Sequence, residues 1–103
     1  MEFRDNVIRI IRSIPVGKVI SYGQIAALAG NHRASRQVSW ILKNSDAENL
    51  PWHRVINSKG KISLPPQDGG IVQKGLLESE GVRFTNGGIT IDKSCFWSGP
   101  NLY

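Results

Sequence analysis

Phe3, Val7, Ile10, Ile11 and Ile14 fall at i, i+4, i+7, i+8 and i+11, an apolar stripe along one face of an α-helix. Arg4, Asp5, Arg9 and Arg12 lie off that stripe, and Pro15 and Gly17 end the helix. Lys18-Val19-Ile20 reads as a short extended link. Ser21-Tyr22-Gly23-Gln24 then has the S-x-x-Q form of a capping box, where the serine hydroxyl and the glutamine side chain satisfy free amides. The helix it opens runs from Ile25 to Ala29 and closes at Gly30, a left-handed C-cap. A third helix is expected from about Ala34 to Asn44. Its wheel puts Ala34, Val38, Ile41 and Leu42 inside and Arg36, Ser39, Trp40 and Lys43 outside. Two short helices joined by a tight turn, the second with a basic outer face, form a helix-turn-helix pattern over about 21–44. By spacing alone any αα-hairpin would look the same.

Beyond Asn44 the chain loosens through Ser45-Asp46-Ala47-Glu48-Asn49. Ser58-Lys59-Gly60-Lys61 reads as a turn, and Leu64-Pro65-Pro66-Gln67-Asp68-Gly69-Gly70 as a loop. Val72, Leu76, Leu77 and Glu80 suit a last helix closed by Gly81. Val82-Arg83-Phe84 and Ile89-Thr90-Ile91 flank Asn86-Gly87, a hairpin signal. From residue 93 onward, Ser94-Cys95-Phe96-Trp97 begins a tail that either packs on the domain or stays loose. The fold class is therefore mainly α with short β segments, a domain over 1–92 followed by a tail over 93–103.

At 103 residues there is room for one small core. Thirteen Lys and Arg against eight Asp and Glu give a net charge of +5, which favours a polyanionic partner without requiring one. No apolar run approaches the roughly 20 residues that span a bilayer. The N-terminus carries both charge signs and lacks a signal peptide's apolar stretch. A single cysteine, Cys95, excludes a disulfide framework and a Cys-rich zinc site. His32 and His53 lack metal-ligand spacing and carboxylate company, so no metal or cofactor is expected. The expectation is a cytoplasmic monomer, associated with the nucleoid if the source is prokaryotic, and away from membranes.

The motifs sharpen this picture. Pro51-Trp52-His53-Arg54-Val55 is similar to the P-C-H-R-V motif of the O6-alkylguanine-DNA alkyltransferases, whose cysteine thiolate accepts the alkyl group. Ile14-Pro15-Val16-Gly17-Lys18-Val19-Ile20-Ser21-Tyr22-Gly23-Gln24-Ile25-Ala26 resembles that family's I-P-x-G-K-V-x-T/S-Y-G-x-I-A. Ser35-Arg36-Gln37-Val38 sits where the family has A-R-x-V, and Lys43-Asn44-Ser45 where it has x-N-P. Gly69-Gly70 and Leu76-Leu77-Glu78-Ser79-Glu80-Gly81 complete the series, so the resemblance runs from Ile14 to Gly81. Trp52 in the cysteine position, the L-P-P-x-x-G-G loop and the Q-K-x-L-L-E-x-E-G-V end point to the alkyltransferase-like branch. Those proteins bind alkylated DNA without repairing it directly. An indole offers no ionisable nucleophile in place of a thiolate.

The resemblance implies a winged-helix-like helix-turn-helix that docks on the minor-groove side of duplex DNA and turns O6-alkylguanine out of the stack. It assigns DNA contact to Tyr22, Ser35, Arg36, Gln37, Ser39 and Lys43. Arg36 matches an arginine finger that fills the vacated stack and bonds the orphaned cytosine. Tyr22 matches the tyrosine that crowds the 3′ phosphate. The lesion pocket, on the loop over 51–56, would take Tyr22, Pro51, Trp52, His53 and Val55, with the Trp52 face against the flipped base. Asn44, His53 and Glu80 match residues that brace or activate the site, here left with a supporting role. Hand-over to nucleotide-excision-repair damage-recognition proteins is a further implication of the resemblance. Two features depart from the family: Ser39 stands where glycine is usual, and the Leu64-Pro65-Pro66 loop lacks an aromatic before the glycines. Trp40 would either touch the sugar-phosphate or cover the core. The chain is expected to begin at the DNA-binding half of the longer alkyltransferases. Rival functions are residual alkyl transfer through Cys95, a glycosylase or lyase, or a sequence-specific transcription factor, which would favour an undamaged operator.

Overall fold

The computed structural model describes residues 2–44 and 49–100. The loose segment expected after Asn44 thus lies, apart from Asn49, outside the described residues. Helix α1 spans Phe3–Ser13 and buries Val7, Ile10 and Ile11, with Ile8 added to the expected stripe. Ile14 leaves the helix extended, and Gly17 turns the chain at φ +83°. Strand β1 (Ile20–Ser21) leads directly into helix α2 (Tyr22–Leu28), where Ser21 Oγ accepts from the Gln24 N–H at 3.1 Å. At the other end Asn31 N–H bonds Ala26 O and Gly30 N–H bonds Ala27 O, with Gly30 at φ +107°. This is a Schellman closure, for which a glycine has no Cβ to obstruct the left-handed turn. Helix α3 (Ser35–Lys43) follows and buries Val38 and Ile41, with Ala34 buried just before it. Leu42 is only half-buried, and Trp40 stands 63% exposed, so it does not cover the core.

Strand β2 (Val55–Ile56) pairs parallel to β1, Ile20 opposite Val55 and Ser21 opposite Ile56. Side chains alternate across a strand, and here the alternation divides two cores. Ile20 and Val55 join α1, α2 and α3 in the first. Val19 and Ile56 join Leu77, Val82, Ile91 and Cys95 in the second. Residues 95–97 run back along Val19, whose N–H bonds Cys95 O at 2.9 Å and whose carbonyl accepts from Trp97 N–H at 2.8 Å. Of the two alternatives left open for this segment, the described part packs on the domain.

Helix α4 spans Gly70–Ser79, where the last helix is expected. Val72 and Leu76 are exposed, while Gln73 and Leu77 are buried and Glu80 sits half-buried just past the end. The polar Gln73 faces inward because it has the His53 and Val55 carbonyls to satisfy there. Strands β3 (Phe84–Thr85) and β4 (Thr90–Ile91) pair antiparallel through a turn over 86–89, with Asn86, Gly87 and Gly88 all at positive φ. Lys74 ties this hairpin to α4: its ammonium bonds Gly88 O at 2.9 Å and lies 5.1 Å from the centre of the Phe84 ring. Among the described residues no helix is long and apolar enough to cross a membrane.

Candidate nucleic-acid interface

A groove of about 560 Å³ opens between the start of α2, helix α3, the turn at Trp52 and the loop at 63–65. Six residues singled out from the sequence meet in it: Tyr22, Ser35, Arg36, Ser39, Lys43 and Trp52. Ser35, Ser39 and Leu42 recur at i, i+4 and i+7, so one face of α3 forms a wall. Arg36 and Lys43 stand along its rim, both exposed. Arg36 holds no hydrogen bond or ion pair to any described residue. Tyr22 is half-buried, its ring packed on the first core while it lines the groove, so the packing role and the site role coincide. Gln37 is exposed but outside the groove wall.

Three residues expected in the pocket are elsewhere. Pro51 and His53 border a second depression of about 660 Å³ beside Arg12 and Arg54, and only Trp52 lines both spaces. Val55 is wholly buried, because it begins β2 and packs in the first core. In their place Leu42, Ser63, Leu64 and Pro65 complete the groove. The Leu64-Pro65 wall is set by the glycine pair. A Cβ on Gly70 would fall 2.6 Å from Leu64 O and 2.8 Å from Pro65 O, and Gly69 sits at φ +110°. Only glycines let the loop close this tightly on the start of α4.

Residues 52–54 form one 3-10 turn, which aims His53 and Arg54 away from the groove and toward Glu80. Arg54 Nε and Nη2 donate to the two Glu80 carboxylate oxygens at 3.0 and 2.7 Å, and His53 Nε2 meets Oε2 at 2.8 Å. A carboxylate only accepts, so the His53 nitrogen is the donor. Arg54 Nη1 also bonds Ile14 O, and Gly17 N–H reaches Glu80 Oε1 at 3.4 Å. The bidentate Arg54 foremost, then His53 and Gly17, hold the Glu80 carboxyl at about 2, against the opposing effect of burial, from an ordinary value of 4.5. The cluster thereby ties the Trp52 turn to the end of α4 and to the bend before β1. Asn44 takes no part in it; its side chain bonds Trp40 O at 2.8 Å, closing its own helix.

Two residues here escaped sequence reasoning. Arg54 was legible as part of the motif, but its role depends on Glu80 coming near. Gln73 was legible only as the first residue of the Q-K-x-L-L-E-x-E-G-V stretch, with no sign of its role: buried at 2% exposure, its amide donates to His53 O and Val55 O, both at 3.0 Å. Replacing Gln73 with leucine keeps the volume but orphans both carbonyls. An unsatisfied buried carbonyl costs roughly 1–3 kcal/mol, so urea unfolding should show a loss of about 2 kcal/mol with unchanged m.

Residues 2–82 match the model of the family described as the 6-O-methylguanine DNA methyltransferase DNA-binding domain. The chain belongs to that family. Within it, the DNA base-flipping protein of Escherichia coli (strain K12) is 44% identical over 87 residues, covering 84% of this chain and 67% of that protein. Alkyltransferase-like protein 1 of Schizosaccharomyces pombe is 45% identical over 83 residues, 79% of this chain and 77% of the relative. The crystal structure of S. pombe Atl1 in complex with damaged DNA containing O6-carboxymethylguanine matches at a TM-score of 0.79 and 39% identity, covering 92% of this chain and 94% of that one. The Mycobacterium tuberculosis O6-methylguanine methyltransferase matches at 0.60 and 34%, over 78% of this chain but 48% of the enzyme. As a methyltransferase-type DNA-binding domain of the alkyltransferase-like kind, the chain has the fold class its sequence announces: four α-helices among the described residues, short strands and a helix-turn-helix.

Proposed function

We propose that this protein is a non-enzymatic sensor of O6-alkylguanine in duplex DNA. Helices α2 and α3 dock on the minor-groove side, the damaged nucleotide is turned out, and the groove beside Trp52 receives the base. The observation that carries this reading is the convergence of Tyr22, Arg36 and Trp52 on one open groove. Its walls suit an extruded base: Trp52, Leu42, Leu64 and Pro65 supply apolar surface, and the Tyr22, Ser35, Ser39 and Ser63 hydroxyls supply donors and acceptors. Extrusion costs a few kcal/mol, least for a base already poorly paired, which favours an alkylated guanine over an intact one. The relatives named for base flipping and the Atl1 complex with damaged DNA support the same reading.

Two features argue against alkyl transfer. Trp52 offers no nucleophile in the groove. Cys95 is buried in the second core and is not among the groove-lining residues. Because binding leaves the lesion in place, the complex serves as a flag for nucleotide excision repair. Salt-controlled titrations of matched guanine and O6-methylguanine duplexes, followed by intact mass of the protein, test this reading. Lesion-selective binding with no added methyl is the expected result. Equal affinities would return the chain to general DNA binding, and a methyl gain would make it an enzyme.

A further inference from the structure

Helix α4 is inverted in character. It turns Gln73 inward and Ile71, Val72 and Leu76 outward, with Ile71 70% exposed. Beside it the hairpin leaves Ile89 59% exposed. These two isoleucines are not scattered singly. With Ile62, Leu64 and Phe84 they wall a cleft of about 320 Å³ between α4 and the β3–β4 hairpin. Its charged lining residues are Lys61 and Lys74, with no carboxylate among them. One Lys74 N–H is committed to Gly88 O, which leaves other donors of the ammonium free to turn to a ligand.

We propose that this cleft is the docking site for a partner protein, which inserts a short apolar segment flanked by Asp or Glu. Apolar side chains would fill the space between Ile71 and Ile89 while carboxylates meet Lys61 and Lys74, the usual arrangement of an apolar centre with a charged rim. DNA fits the cleft poorly. Its walls are aliphatic apart from Phe84, and two lysines fall short of a phosphate track. The cleft nevertheless adjoins the DNA-side groove. Leu64 lines both, with Pro65 on one side of the loop and Pro66 on the other. A partner seated here would stand next to the bound lesion without competing for it. The inference rests on the reading that the protein acts by recruiting others rather than by chemistry.

The test is a methyl-NMR titration of the full chain, free and bound to an O6-methylguanine duplex, with two synthetic peptides. One alternates Leu and Phe with Glu; the other carries Lys in place of Glu. Expected are saturable shifts confined to Ile62, Ile71 and Ile89 with the acidic peptide, in both states. Ile71→Ser should weaken that binding about tenfold with DNA affinity unchanged, and Lys61→Glu about fivefold. Both side chains are exposed, so the fold should tolerate these changes. Absence of saturable shifts at these methyls overturns the proposal. So does equal binding of the basic peptide, loss of DNA affinity in Ile71→Ser, or self-association of the wild type that Ile71→Ser abolishes. Lesion selectivity is read from the duplex titration alone, so failure here leaves that result standing, and the reverse also holds.

Discussion

Replacing Arg36 with alanine is expected to lower affinity for an O6-methylguanine duplex by roughly 10- to 100-fold, the range of 1.5–3 kcal/mol typical of a charged hydrogen bond or a lost stacking partner. Arg36 sits on the rim of the groove, exposed, without an intramolecular bond to any described residue. Its removal therefore takes little from the fold and much from whatever it reaches. If it fills the stack left by the flipped nucleotide, affinity for the intact duplex should fall far less than affinity for the lesion. Arg33→Ala is the control. Arg33 is exposed in the turn between α2 and α3 and lies outside the groove wall, so it should lose only a phosphate contact, weakening both duplexes alike and reducing the salt slope by about 1. Equal losses for both duplexes in Arg36→Ala would reduce this arginine to the same role.

Glu80→Gln is expected to cost about 2–4 kcal/mol and to lower Tm by roughly 10–25 °C, since 1 kcal/mol shifts a domain of this size by about 4–8 °C. The carboxylate is 16% exposed and carries Arg54 in a bidentate pair with His53 alongside. Breaking a well-buried pair typically costs about 3–5 kcal/mol because the remaining charge is stranded, and partial solvent access reduces that here. The amide also presents an NH₂ donor where Arg54 or His53 already donates. The same group predicts the acid limb. Its folded pKa of about 2 lies below its ordinary value of 4.5, so its stabilisation is fully present above about pH 5. That contribution, on the order of 3 kcal/mol, is lost as the pH falls toward 2. Chemical denaturation from pH 6 to pH 2 should show the wild type losing stability along this slope. In Glu80→Gln the slope should be shallower by this contribution, and parallel slopes would remove Glu80 from the account. The groove should suffer too, because Glu80 anchors the turn that holds Trp52.

The first half of the chain was largely legible in its sequence. The α1 stripe, the Ser21 cap, the Gly30 closure and the inner face of α3 depend on neighbours within a turn or two, and local chemistry decides them. The same periodicity put Arg36, Ser39 and Lys43 outside, and the motif resemblance supplied Tyr22, Ser35 and Trp52 as their companions in the groove. It did not show that His53 and Val55 turn away from that groove. A 3-10 turn is too short to leave a periodic signal, and its direction is set by Glu80, distant in sequence.

Helix α4 marks the boundary most clearly. Val72, Leu76 and Leu77 suit a helix without fixing its inner face, and the helix turns two of the three to solvent. Leaving Val72 and Leu76 exposed forgoes about 1.5–3 kcal/mol for each. Turning them inward would strand the His53 and Val55 carbonyls that Gln73 satisfies and pull Glu80 from Arg54. Those losses together offset the gain. By itself the sequence determined the helices, their caps and the basic outer face of α3, because hydrogen bonds and steric limits between near neighbours specify them. Only the tertiary structure decided which residues share the groove and which way α4 faces, because both depend on polar groups that become costly only once folding has removed them from water.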